Sequence, residues 1–206
     1  MTNIVKQFEK VPTTCVSDAM HGLNNLDPAI KPIKENYRVV GRAYTVKMPV
    51  GDNYTVLKAI RNAQPGDVLV IDSKSEDYRT VAGDFIIGMA RTLGLNGVIA
   101  DGTIRDIVAT KELNYPVFCR GTTVASSGKA GWGEINVPIS CGGATIQPGD
   151  ILVGDADGVV VIPQSIEEQI LEKSLDKLAK DQERDSAVSG DKEAILKYLD
   201  KMISSK

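Results

Sequence analysis

Residues 83–106 read GDFIIGMARTLGLNGVIADGTIRD, and the order of structure in this stretch decides the fold. Phe85, Ile86, Met89, Ala90 and Leu93 recur at helical spacing, so Ala82 to Leu93 is expected to be a helix with one apolar face. Gly94 stands where a left-handed C-cap belongs. Asn96-Gly97 then opens Val98-Ile99-Ala100, a short unbroken apolar run typical of a strand covered on both faces. That strand is expected to end in a polar turn, Asp101 to Asp106. Open α/β sheets gather their ligands at such carboxyl ends. Asp84 falls in the first turn of the helix, and a sharp return from helix to strand would set it beside Arg105 and Asp106.

Working outward, the same grammar repeats. Upstream, Thr13 or Thr14 caps a short helix that Gly22 ends. Tyr37 to Met48 reads as a strand with a bend or bulge at Gly41. Asp52 caps a helix from Tyr54 to Ala63, and Val68 to Ile71 forms a strand ending at Asp72. Downstream, the pattern predicts a helix from Ile104 to Leu113, a strand Val117 to Cys119 and a long polar loop, Arg120 to Asn136. Gln147-Pro148-Gly149-Asp150-Ile151-Leu152-Val153 then copies Gln64-Pro65-Gly66-Asp67-Val68-Leu69-Val70 with a single Val-to-Ile change. In both copies Pro fixes one corner of a turn and Gly takes the positive φ beside it, so each marks the start of a strand. Val159 to Pro163 is a further buried strand. Ser165 and Glu168 have the spacing of a capping box for a helix running to about Asp185, and a last helix follows from Lys192 to Ile203. This order predicts a three-layer α/β sandwich over residues 1–163 and a helical extension over 164–206.

Composition narrows the function. The chain has 206 residues, 42% hydrophobic and 25% charged, with a net charge of −3, enough for a substantial core. Without a cluster of Lys and Arg interleaved with aromatics, nucleic-acid binding is not expected. Neither a signal peptide nor a membrane-spanning run is present in these residues, so a cytoplasmic protein that does not enter a membrane is the expectation. Cys15, Cys119 and Cys141 are odd in number and widely spaced, which favours packed, reduced thiols. His21 is the only histidine. A multi-histidine metal site is thereby excluded, leaving carboxylates as the natural ligands. At the end of a short helix His21 reads as a capping residue.

Asp84, then twenty residues, then Arg105-Asp106 is the sharpest constellation. Carboxylates are hard oxygen ligands suited to Mg²⁺ or Mn²⁺, and Mg²⁺ commonly uses one or two of them and keeps its waters. The planar Arg105 fork suits a substrate carboxylate or the oxygen that becomes an enolate. On their own the same residues read equally as an acid at a helix start and a surface ion pair. DGTIRD, PVFCRGTT, GEINVPISCGG and QPGDILVGDADGVVVIP, in that order between Pro12 and Pro163, resemble the family of the regulator of ribonuclease activity A and the 4-hydroxy-4-methyl-2-oxoglutarate aldolases.

The resemblance implies a swivelling β/β/α sandwich, assembled as a homotrimer or a pair of trimers. It also implies a divalent-metal-dependent class II pyruvate aldolase that decarboxylates oxaloacetate. The ribonuclease regulators of the family tend to lack the first Asp, so Asp84 favours the aldolases over a non-catalytic partner of ribonuclease E. By similarity, Asp106 ligates Mg²⁺ or Mn²⁺, Asp84 orients a metal-bound water, and Arg105 contacts the pyruvyl oxygen of a small 2-oxo acid. The amides of Phe85, Ile86 and Ile87 receive the substrate carboxylate, as a helix N-terminus is suited to do. Lys129 matches a lysine near the site. Asp18 falls where the aldolases carry Glu, and Glu183 matches an acid lent by a neighbouring subunit. Trp132 reads as part of a lid or an intersubunit contact.

Overall fold

A computed structural model describes residues 3–204. In chain order the helices are α1 (Asn3–Phe8), α2 (Thr13–Ala19), α3 (Tyr54–Asn62), α4 (Asp84–Thr92), α5 (Ile107–Glu112), α6 (Glu167–Val188) and α7 (Lys192–Ser204). The strands are β1 (Lys31–Pro32), β2 (Val39–Lys47), β3 (Asp67–Ala82), β4 (Gly97–Ile104), β5 (Val117–Cys119), β6 (Gly121–Thr122), β7 (Glu134–Ile135), β8 (Ile139–Cys141), β9 (Ala144–Ile146), β10 (Ile151–Asp155) and β11 (Gly158–Ile162). The large sheet runs β1-β5-β4-β3-β2-β10-β11, parallel from β2 through β5 and antiparallel at both ends.

The sheet curls until its edges nearly meet. The Leu26 amide donates to the Val159 carbonyl, the Val161 amide to Asn24, and Lys31 Nζ reaches the Asp157 carbonyl at 2.7 Å. Alternation along the strands then sorts side chains into an inside and an outside. Val39, Val68, Val70, Ile99, Phe118 and Leu152 face inward onto the β8–β9 hairpin. Leu69, Ile71, Val98 and Val117 face outward under α3 and α4, and Ile151, Val153, Val160 and Ile162 face outward under α1, α2 and α6. Curled sheet, small hairpin and outer helices are the three layers expected.

Several boundaries differ from the sequence reading, each for a physical reason. Strand β4 runs on to Ile104 instead of turning at Asp101, because the buried Asp101 carboxylate is compensated by the Arg120 Nε–H, the Ser75 hydroxyl and the Gly142 amide. Strand β3 likewise passes Asp72. Lys74 and Ser75 take left-handed conformations, and the Glu76 carboxylate then accepts the Tyr78 and Arg79 amides, so the chain bulges and resumes pairing through Ala82. Helix α5 begins at Ile107 and not at Ile104, since Thr103 and Ile104 pair with β6. The expected capping box of α6 does not form: Gln164–Ile166 is a 3₁₀ turn, and the helix starts beyond it without a side-chain cap. Pro12 occupies the N-cap of α2 in place of Thr13 or Thr14. Asp52 does bind the start of α3, accepting the Tyr54 amide at 2.7 Å.

The duplicated turns flank β2. In each, the Asp side chain accepts the Gln amide at 2.8 Å, and the Asp amide donates back to the Gln carbonyl. Asp67 and Ile151, one on either side, both register with Arg42. Gly41 is therefore neither a bend nor a bulge. A Cβ there would lie 2.7 Å from the Gly66 carbonyl oxygen and 2.7 Å from Val68 Cγ2. Gly41→Ala is expected to destabilise the protein by about 1–3 kcal/mol, the cost of overpacking a closed interior. Urea unfolding checks this, and an unchanged midpoint would show that the turn at Gly66 yields.

All three cysteines are free and buried. Burial raises the Cys119 thiol to about 11 and raises those of Cys15 and Cys141, which keeps the thiols protonated and unreactive at neutral pH.

Candidate functional site

Charge collects at the carboxyl end of β4. The Arg105 amide donates to the Ala82 carbonyl at 3.1 Å, which ties the end of β4 to the residue just before α4. Gly83, the N-cap of α4, packs against the side chains of both Arg105 and Asp106, and a Cβ at Gly83 would stand 2.5 Å from the Asp106 Oδ2. Only glycine leaves that carboxylate its place. Asp106 is itself left-handed, with φ of 56°, which aims its side chain back toward α4 instead of along α5. Asn and Asp tolerate this conformation better than other side chains.

Arg105 Nε and Asp106 Oδ2 are 3.2 Å apart, with the side chains 41% and 44% exposed. That is an ion-pair distance, yet the Nε–H is not directed at the carboxylate and remains buried without an acceptor. The pair thus holds an unsatisfied donor beside carboxylate lone pairs that accept no hydrogen bond among the described residues. A bound oxygen anion would satisfy the donor. At α4, the Ile87 amide donates to the Gly83 carbonyl, so Ile87 differs from Phe85 and Ile86 in having its N–H engaged. The amides without an intrahelical partner are those of Asp84, Phe85 and Ile86.

Two hollows adjoin this point. One, of about 580 Å³, is lined by Arg105, Asp106, Val108, Thr122, Thr123 and Val124. The other, of about 870 Å³, runs between α3 and α4 past Leu57, Ile60, Phe85, Met89 and Leu93, with Asp84 as its acid. The larger is mostly apolar, and the polar chemistry lies in the smaller. Asp84 sits one residue from the Gly83 contact and has no hydrogen-bond or ion-pair partner among the described residues. The structure therefore brings Asp84, Arg105 and Asp106 to one end of the sheet, on either side of Gly83.

The other sequence candidates make no hydrogen bond or ion pair with Asp84, Arg105 or Asp106 among the described residues. Lys129 is exposed on the loop between β6 and β7. Asp18 is on α2, where it pairs with Lys177 of α6 at 3.3 Å. His21 follows α2 in a left-handed turn, with its amide donating to the Asp18 carbonyl. Glu183 is exposed on the outer half of α6, and Trp132 is exposed with its carbonyl facing the Thr55 hydroxyl. The sequence reading passed over Asp101 and Arg120. The apolar run before Asp101 offered no signal for them, because the pairing that buries this carboxylate is set by Arg120, nineteen residues on.

No group of three or more His, Cys, Asp or Glu among the described residues is arranged to hold a metal ion. A hydrated Mg²⁺ or Mn²⁺ requires less, and the Asp106 carboxylate, which accepts no hydrogen bond among the described residues, with Asp84 next to the Gly83 it packs against, suits an ion that keeps most of its waters. The donors are all oxygen, which excludes a soft-metal preference.

Fold and site together define an α/β protein with its charged groups gathered at the carboxyl ends of parallel strands. The RraA-like family model (Aldolase/RraA) matches residues 13–161, and the chain belongs to this family. It is 57% identical over 201 residues to the "Putative 4-hydroxy-4-methyl-2-oxoglutarate aldolase" of Halalkalibacterium halodurans, covering 98% of this chain and 96% of that one. Among solved structures, an uncharacterised Pseudomonas syringae protein superposes with a TM-score of 0.80 at 31% identity, covering 93% and 94% of the two chains. Streptomyces coelicolor RraAS2, an unusual member of the RNase ES inhibitor RraA family, superposes at 0.79 with 26% identity and coverage of 88% and 95%. No described helix is long and apolar enough to cross a membrane.

Proposed function

We propose that this chain is a carbon–carbon lyase that cleaves 2-oxo acids of the 4-hydroxy-4-methyl-2-oxoglutarate type to pyruvate and decarboxylates oxaloacetate. The observation that carries the reading is the buried, acceptor-less Arg105 Nε–H beside the Asp106 carboxylate, which accepts no hydrogen bond among the described residues, at the start of α4. The free amides there, Asp84, Phe85 and Ile86, receive the substrate's C1 carboxylate at the positive end of the helix dipole. Arg105 then donates to the C2 oxygen, where negative charge grows as the C3–C4 bond breaks. Asp106 would hold Mg²⁺ or Mn²⁺ directly and Asp84 would do so through water, and the ion would supply Lewis-acid polarisation of the C2 carbonyl. In the aldol cleavage Asp84 orients the water that accepts the C4-hydroxyl proton, helped by Glu183 of a neighbouring copy in a homotrimer or pair of trimers. Lys129 adds a second cation facing the substrate anion. Decarboxylation releases CO₂ and needs no base.

The test is pyruvate release from both substrates with Mg²⁺ and with EDTA. Release that falls to the metal-only background on chelation is the expected result, and full activity in EDTA would sink the proposal. The likeness to RraAS2 favours a second reading, a non-catalytic regulator that binds ribonuclease E. Under it, Asp84→Ala leaves partner binding intact, whereas the lyase reading has the same variant lose most of its rate.

A further inference from the structure

The loop that carries Lys129 is held on both sides of that residue by one short segment ahead of α3. On one side, the Gly128 amide donates to the Gly51 carbonyl at 2.8 Å and the Asn53 amide donates to the Gly128 carbonyl at 3.2 Å. On the other, the Gly131 amide donates to Asp52 Oδ2 at 2.8 Å. Asp52 is only 5% exposed, and its second oxygen accepts the Tyr54 amide at 2.7 Å. Both carboxylate oxygens are thus used, one on the helix and one on the loop. Gly131 has φ of 82°, and a Cβ there would lie 3.1 Å from Tyr54, so the loop passes close over the helix start. Further back, the Thr80 amide donates to Ala125 and the Ser127 hydroxyl to the Thr80 carbonyl, which lays the loop across the end of β3 next to the strand that carries Arg105. Lys129 itself is exposed at the crest between Gly128 and Gly131.

We infer that Asp52 is a positioning residue for Lys129, clamping the arch so that the ammonium group is presented to the substrate in one place. The inference rests on the lyase reading above. A flexible lysine on an unclamped loop spends its time in solvent. The Asp52 carboxylate, accepting the Gly131 amide of the loop and the Tyr54 amide of α3, fixes the backbone from which Lys129 projects and narrows the space its ammonium samples, which serves catalysis because charged groups act best when their position is held. The rival is a purely structural Asp52 that starts α3 and has no bearing on Lys129.

The test combines a protease with a double-mutant cycle. Trypsin cuts after Lys129, and mass spectrometry reads the rate at that bond. In Asp52→Ala the rate is expected to rise at least about tenfold, with cleavage elsewhere unchanged, as local opening exposes the arch. Pyruvate release is then measured for wild type, Asp52→Ala, Lys129→Ala and the double variant. The expected kcat of Asp52→Ala is lower by about tenfold, and that loss vanishes in the Lys129→Ala background, since residues acting as one unit are non-additive. Asp52→Asn keeps the shape and one acceptor, and its thermal midpoint and intermediate loss carry the comparison where Asp52→Ala folds poorly. A wild type that releases no pyruvate overturns the lyase reading, and this assignment with it. A wild type that does turn over, with an Asp52 variant that keeps full kcat, leaves the Lys129 bond protected or multiplies the Lys129→Ala loss, overturns the assignment of Asp52 alone.

Discussion

Asp106→Asn is expected to lower kcat/KM for pyruvate release by at least about a hundredfold, the scale on which removal of one preorganised electrostatic group acts. The amide has the size of the carboxylate and tolerates the left-handed backbone at this position, so the thermal midpoint should not move. Asp106→Ala removes the same charge, but a β-carbon without a polar tip is poorly suited to positive φ, and about 1–2 kcal/mol of stability goes with it. The pair of variants separates chemistry from folding: a rate lost equally in both, with only alanine less stable, places the function in the carboxylate. Unchanged turnover in Asp106→Asn would remove Asp106 from the metal site.

The second large effect concerns stability. Arg120→Ala should cost about 3–5 kcal/mol, because Asp101 would remain as a buried charge without its cation. Arg120 also donates from its second nitrogen to Asp27 Oδ2 at 3.0 Å, so one guanidinium joins strand β4 to the loop before β1. The Asp27 carboxyl titrates below its usual value, first through the Ala29 amide and then through Arg120. A carboxylate shifted down contributes its stability at neutral pH and loses it as the pH falls through the lowered value. Urea titration reads the effect as a lower midpoint with an unchanged slope. A loss below about 1 kcal/mol would mean that water reaches Asp101 once the arginine is gone.

How far the sequence could be read follows from where its periodicities are local. Helix α4 and the centre of β4 were legible because Phe85, Ile86, Met89, Ala90 and Val98 to Ala100 carry their own spacing, and Gly94 is left-handed as its position required. The duplicated turns were legible for the same reason, since both hydrogen bonds of each lie within four residues. The continuation of β4 beyond Asp101 was not, because the arginine that neutralises that aspartate comes nineteen positions later. Nor was the curl of the sheet, which depends on residues 24–26 meeting β11. At the site, the spacing of Asp84, Arg105 and Asp106 marked the residues, but what lets Arg105 and Asp106 pack against the start of α4 is a glycine. Gly83 carries no chemistry of its own, and only the distance from its missing Cβ to Asp106 shows what it permits. The engaged Ile87 amide was likewise invisible until the helix start was placed.

The two Pro-Gly-Asp turns on either side of β2 also bear on how the chain is made. One neighbour of β2, strand β3, leaves the ribosome soon after it; the other, β10, follows only after roughly a hundred further residues. At ordinary synthesis rates of about 5–20 residues per second, the open side of β2 waits on the order of ten seconds for its mate. Throughout that interval Val39, Ala43 and Thr45 line an unsealed edge able to pair with another nascent chain. A truncation placed before Ile151 would make that temporary exposure permanent, and such a fragment should be recovered in aggregates.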